Sequence, residues 1–147
     1  GVKMVELDEL MKASDVVTLH VVLTRETRGM IGKRELQLMK PTAFIINTSR
    51  GPAIKEADLV QALNENLIAG AALDVYSEEP LPMANPLRQV DPNRLILTPH
   101  SIGTNPGSME AGQKLAAQSI LAILDGKIPD TLVNPSAIPR WKERFAS

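Results

Sequence analysis

Apolar positions along this chain gather in four short runs, and the stretches between them repeat with a helical period. The first run, VVTLHVV (16–22), follows Ser14 and Asp15 and predicts a buried strand. TAFIIN (42–47), AGAALDV (69–75) and RLILT (94–98) predict three more. Between them, GKRELQLMK (32–40) spaces Leu36 and Met39 as a short helix does, and Pro41 stops it. KEADLVQALNEN (55–66) sets Leu59 and Leu63 one turn apart, with Asn66 suited to the left-handed residue that ends a helix. A long helix follows, with Asn105 as cap and Pro106 in its first turn. Met109, Gly112, Ala116, Ile120 and Ile123 mark one face to be buried, and Gly126 ends the helix. Residues 77–93 read as a proline-rich loop and 134–147 as an irregular tail.

Strands that are apolar throughout and separated by helices predict a parallel sheet covered on both faces. Four of them make about half of a doubly wound α/β domain, in which ligands bind beyond the carboxyl ends of the strands. The polar residues at that rim are His20, the Asn47–Gly51 segment, Asp74 and His100. Pro99 removes a ladder donor and favours an extended residue before it, so the fourth strand ends cleanly and His100 enters the cleft. Arg offers a planar fork that holds a carboxylate in two parallel hydrogen bonds. An imidazole passes protons near neutrality, and a carboxylate from the SEEP loop can orient it and favour its charged form. Arg50, Glu79 and His100 therefore suit a substrate with a carboxylate beside a carbonyl or alcohol, and the sheet offers a place for a nicotinamide.

Composition narrows the picture further. The 147 residues amount to about one domain, and 44% are hydrophobic, enough for a core. Sixteen basic against seventeen acidic side chains leave a net charge of −1, with no footprint for nucleic acid. There is no cysteine, so disulfides and thiolate metal sites are excluded, and no metal site is expected. No apolar run is long enough to cross a bilayer. GVKMVELDEL lacks the regions of a signal peptide, and it lacks an initiator Met, so a soluble, cytoplasmic protein with something missing upstream is expected.

INTSRG, AGAALDVYSEEP and LTPHS resemble the signature blocks of the D-isomer-specific 2-hydroxyacid dehydrogenases, and SDVVTLHVVLTRETRGMIGKRELQLMKPTAF resembles the block before them. The resemblance runs from about residue 6 to 134 in family order. It implies a Rossmann-type fold, NAD as cofactor with NADP left open, a 2-hydroxy or 2-keto acid substrate, and a homodimeric parent. Arg50 would bind the substrate carboxylate, His100 would be the acid/base, and Glu79 its partner. His20, Thr27, Thr48, Ser49, Arg50, Asp74, His100 and Gly103 would lie along the cofactor, Asp74 at the nicotinamide carboxamide. The resemblance places residues 1–126 in the NAD-binding domain and 127–147 in a tail belonging to the substrate domain. The glycine-rich loop G-x-G-x-x-G and the acidic ribose-reading residue would lie upstream of Gly1, so the chain alone is expected to be inactive. Val22 and Arg25 stand where the family usually has Pro, Lys55 replaces an acidic cap, and GTNPGSME (103–110) is atypical. A corepressor group sharing this fold gives an alternative, an NAD-sensing binding protein. A formate-oxidising group has Gln where Glu79 stands.

Overall fold

The computed structural model describes residues 1–145. Four short strands, Val16–Leu19 (β1), Phe44–Asn47 (β2), Gly70–Leu73 (β3) and Leu95–Leu97 (β4), pair in sequence order. All three pairings are parallel, as the apolar runs predict. The register sets Leu19 beside Asn47, Asn47 beside Leu73 and Leu73 beside Leu97, so all four strands end level and deliver their next residues to one rim. Helices Leu7–Ala13 (α1), Lys33–Leu38 (α2) and Glu56–Asn64 (α3) pack side by side in chain order. Met11, Leu36, Leu59 and Leu63 from these helices join Val17, Leu19, Ile45 and Leu73 in one core.

The second face of the sheet departs from the expectation of two covered faces. Burial alternates along the strands: Val17, Leu19 and Ile45 are buried, while Val16, Phe44 and Ile96 are 53%, 48% and 63% exposed. Parallel crossovers are right-handed, so connections that step one way along a sheet place every helix on one side. Residues of the opposite side stay apolar without being covered. The link from β3 to β4 contains no α-helix. It is a loop around a 3-10 turn, Pro86–Gln89, and it buries Leu81, Leu87 and Val90.

Other local readings fare unevenly. Asn66 and Gly126 adopt φ of 58° and 69°, the left-handed geometry expected of helix ends. Asn105 accepts from the Ser108 N–H at 2.9 Å and so caps Pro106–Leu124 (α4). α1 has too few apolar residues, over only two turns, to show a helical period in the sequence. The tail is not irregular: a 3-10 turn at Pro135–Ala137 leads into a helix, Ile138–Phe145 (α5). Its prolines stand at turn and helix starts, where a missing N–H costs little.

The chain divides into two compact units, Gly1–Ile102 and a second from Gly103 onward. α4 and the tail both fall within the second unit. No residue of α4 is buried, and Met109 and Ile120 are 53% and 58% exposed. A helical stripe marks a face that seeks an apolar partner, but it does not supply one.

Candidate active site

The turn after β2 is built by one buried amide. Asn47, 1% exposed, accepts through Oδ1 from the Ser49 N–H at 3.1 Å and the Ser49 hydroxyl at 3.0 Å. Its Nδ2 donates to the Arg50 carbonyl at 3.0 Å. Both ends of the side chain are thus engaged in shaping residues 48–50, and Arg50 is left exposed with its Nη1 on the Ser49 carbonyl at 2.6 Å. Gly51 then runs against the start of the next loop. A Cβ there would lie 1.9 Å from the Tyr76 carbonyl carbon and 2.1 Å from its oxygen, so only glycine allows the two segments to meet.

The segment after β3 holds two carboxylates with different tasks. Asp74, 2% exposed, accepts from the Thr98 hydroxyl, from the Ser101 N–H at 2.9 Å and from the Ile102 N–H at 3.1 Å. Burial pushes its carboxyl up, but these hydrogen bonds and the nearby His100 outweigh burial and hold it below the usual range. Asp74 thereby folds the chain beyond Pro99 into a turn in which His100 has φ of 52°. That conformation is uncommon for a residue with a Cβ, and it persists here because the bonds on either side impose it. The Tyr76 hydroxyl lies 2.7 Å from the Thr98 carbonyl and 3.1 Å from that of Leu73, and ties β3 to β4 just below the turn. Burial and the Asp74 charge raise the Tyr76 phenol.

Glu79 meets this turn from the loop. Its Oε1 accepts from the Tyr76 N–H at 2.9 Å, and its Oε2 lies 2.6 Å from His100 Nδ1. The hydrogen bond from His100 and that from the Tyr76 N–H hold the Glu79 carboxyl below its ordinary value. The charges of His100 and Arg50 add to this, against a modest opposing effect of burial. The pair is partly open to solvent, with side chains 50% and 34% exposed. Beside it lies a cavity of about 530 Å³, edged by Leu81, Arg88, Leu97 and Pro99 together with Glu79 and His100. That volume suits a small ligand.

The fold thus brings Glu79 onto His100 and Asp74 onto the turn that carries His100, with the Arg50 charge acting on Glu79. Other residues singled out in the sequence have local partners of their own. His20 Nε2 lies 3.0 Å from the Thr18 hydroxyl on an exposed stretch past β1. The Thr27 hydroxyl donates to the Val22 carbonyl and accepts from the Thr24 N–H, both at 2.7 Å, and so closes its own loop. Thr48 and Ser49 are half-buried in the turn before Arg50. Gly103 opens the second unit. Sequence reasoning missed Arg88 and the tasks of Asn47, Gly51 and Tyr76. The INTSRG block holds Asn47 and Gly51, but which atoms they touch depends on how the chain folds around them. Among the described residues no three His, Asp or Glu side chains gather as a metal site, and no helix is long and apolar enough to cross a membrane.

Comparison with known proteins agrees with this fold. The family described as D-isomer specific 2-hydroxyacid dehydrogenase, NAD binding domain, matches residues 1–101. A glyoxylate reductase of Thermofilum pendens is 43% identical over 133 residues, which cover 90% of this chain and 39% of that protein. A crystal structure of a Thermus thermophilus protein superposes with a TM-score of 0.82 at 38% identity, covering 88% of this chain and 41% of the other. The D-isomer specific 2-hydroxyacid dehydrogenase of Lactobacillus delbrueckii, solved in its NAD-complexed form, gives a TM-score of 0.77 at 29% identity. It is covered to 43%, and this chain to 88%. The chain spans about two fifths of the length of these relatives.

Proposed function

Since this chain belongs to the D-isomer-specific 2-hydroxyacid dehydrogenase family through its NAD-binding domain, we propose that the protein carrying it interconverts a 2-hydroxy acid and the matching 2-keto acid. The observation that carries this reading is the 2.6 Å contact of Glu79 with His100 at the carboxyl ends of parallel strands, where the Arg50 charge also acts on Glu79. One proton-transferring ring and one exposed guanidinium at an open rim fit the reacting end of a nicotinamide. NAD, when bound, supplies or accepts the hydride at the substrate's second carbon.

The chain's own residues do the remaining work. Arg50 grips the substrate carboxylate with its planar fork, which fixes the carbonyl in orientation as well as in place. Glu79 occupies Nδ1 of His100, so Nε2 is the nitrogen that faces substrate. In reduction the Nε2–H of the charged ring passes its proton to the carbonyl oxygen, which becomes the hydroxyl. In oxidation the neutral ring takes that proton back. Glu79 remains ionised throughout and stabilises the charged ring. Asp74 has three of its roughly four acceptor sites in use, leaving one for the carboxamide. His20, Thr27 and the main chain at Thr48 and Ser49 would line the approach of the cofactor. Residues 1–147 contain no G-x-G-x-x-G turn, so they do not supply the usual pyrophosphate cradle.

The test is NADH oxidation by the intact enzyme with a panel of 2-keto acids. His100→Ala is expected to lower kcat by about 10²–10⁴, the range for a positioned acid/base. Arg50→Lys is expected to raise the KM for the keto acid while leaving cofactor binding nearly unchanged, because an ammonium cannot reproduce the fork. A parental rate in His100→Ala, or no turnover of any keto acid by the parent, would overturn the reading.

A further inference from the structure

Glu79 stands on an exposed stretch, Ser77–Pro80, of a long loop between β3 and β4. A side chain in such a loop loses conformational entropy by holding one position, so something must fix the backbone on both sides of it. Glu56, in the first turn of α3, reaches that loop at two points. Its Oε1 accepts from the Ser77 N–H at 2.5 Å, and its Oε2 accepts from Asn85 Nδ2 at 3.2 Å. One contact lies two residues before Glu79 and the other six residues after it. Asn85 is itself committed, since its Oδ1 accepts from the Leu87 N–H at 2.9 Å and so starts the 3-10 turn that buries Leu87. The bracket therefore runs from helix α3 to the core on the far side of the loop, and Glu79 sits inside it.

We propose that Glu56 is a positioning residue that fixes the β3–β4 loop so that Glu79 stands against His100. The role rests on the acid/base reading of that pair given above. A displacement of about 1 Å in such a group can cost about 100-fold in rate. Besides each other, the charged groups acting on the pair are Arg50 from the turn after β2 and Asp74 from the end of β3, and Arg88 lines the same cavity with its guanidinium on the Leu81 and Pro82 carbonyls. Glu56 acts on the loop and touches none of the reacting atoms.

The experiment compares Glu56→Ala and Glu56→Gln with Glu79→Gln and His100→Ala in the intact enzyme, reading kcat, KM and the pH midpoint of keto-acid reduction. Glu56→Ala is expected to lower kcat about 10- to 100-fold, to leave the KM for NADH unchanged, and to move the midpoint down as Glu79→Gln does. Glu56→Gln keeps an oxygen for the Ser77 N–H but sets one NH₂ against another at Asn85. It should shift the midpoint less, in the same direction, and it decides the matter alone if the alanine variant does not fold. Combining Glu56→Ala with Glu79→Gln should shift the midpoint no further than either alone, since both act through one contact. A parental midpoint in the Glu56 variants, whatever their stability, or additive shifts in the double variant, would overturn the positioning role while leaving the acid/base reading intact. A parental rate in His100→Ala would bring down both.

Discussion

At His100 the main chain adopts a conformation that most side chains avoid, and the compensation comes from Asp74, a full strand earlier in the chain. Asp74 commits its carboxylate to the hydroxyl and amides of Thr98, Ser101 and Ile102, so the turn is already set before any ligand arrives. Glu79 adds the charge. Reduction needs the protonated ring, and a carboxylate at 2.6 Å favours that form. Glu79→Gln removes the charge but keeps an acceptor, so reduction should fade at lower pH than in the parent. Oxidation, which needs the neutral ring, should persist to correspondingly lower pH. A pH–rate profile in both directions reads the two shifts, and an unmoved profile would detach Glu79 from the base. The same contact has a stability side. A carboxyl held below its ordinary value of about 4.3 stabilises the fold above that pH, and the contribution is lost as pH falls through the lowered value.

Between elements, the decisive contact is the approach of the Arg50 turn to the loop after β3, and Gly51 is what permits it. A Cβ at 1.9 Å from main-chain carbon cannot be relieved by rotating a side chain, so one segment must move. Gly51→Ala should therefore destabilise the protein by about 3 kcal/mol, the upper end of ordinary overpacking, and lower turnover as Arg50 shifts from Glu79. Denaturant unfolding alongside kinetics checks both, and a parental unfolding midpoint would show that the segments separate freely. Such facts explain what the sequence could and could not disclose. The places of Arg50, Glu79 and His100 beyond strand ends were legible, because each follows an apolar run that ends as a strand. The four strands and their parallel order were legible from apolar runs alone. The expected strand lengths overshot, because pairing stops at Leu19 and Asn47 while the apolar character of the first run continues to Val22. Asn47, Gly51 and Glu56 looked like ordinary turn and helix residues. Their partners are Ser49, Tyr76 and Ser77, and for the last two only the packing of distant segments supplies them.

Over the whole molecule, the two compact units differ in how much they bury. The first holds one continuous core between three helices and one face of a sheet. The second includes α4, no residue of which is buried. Periodicity told which faces are apolar in both, but it could not tell which would be covered, since covering depends on partners and on the direction of crossovers. The open face of the sheet, with Val16, Phe44 and Ile96 turned to solvent, has a thermodynamic consequence. Apolar surface already wet in the folded state adds nothing to the heat-capacity increase on unfolding. Calorimetry of this chain should accordingly show a smaller heat-capacity increment per residue than the roughly 12–15 cal/mol/K usual for a globular domain. A flatter curve of stability against temperature follows, with gentler losses on both the warm and the cold side of its maximum.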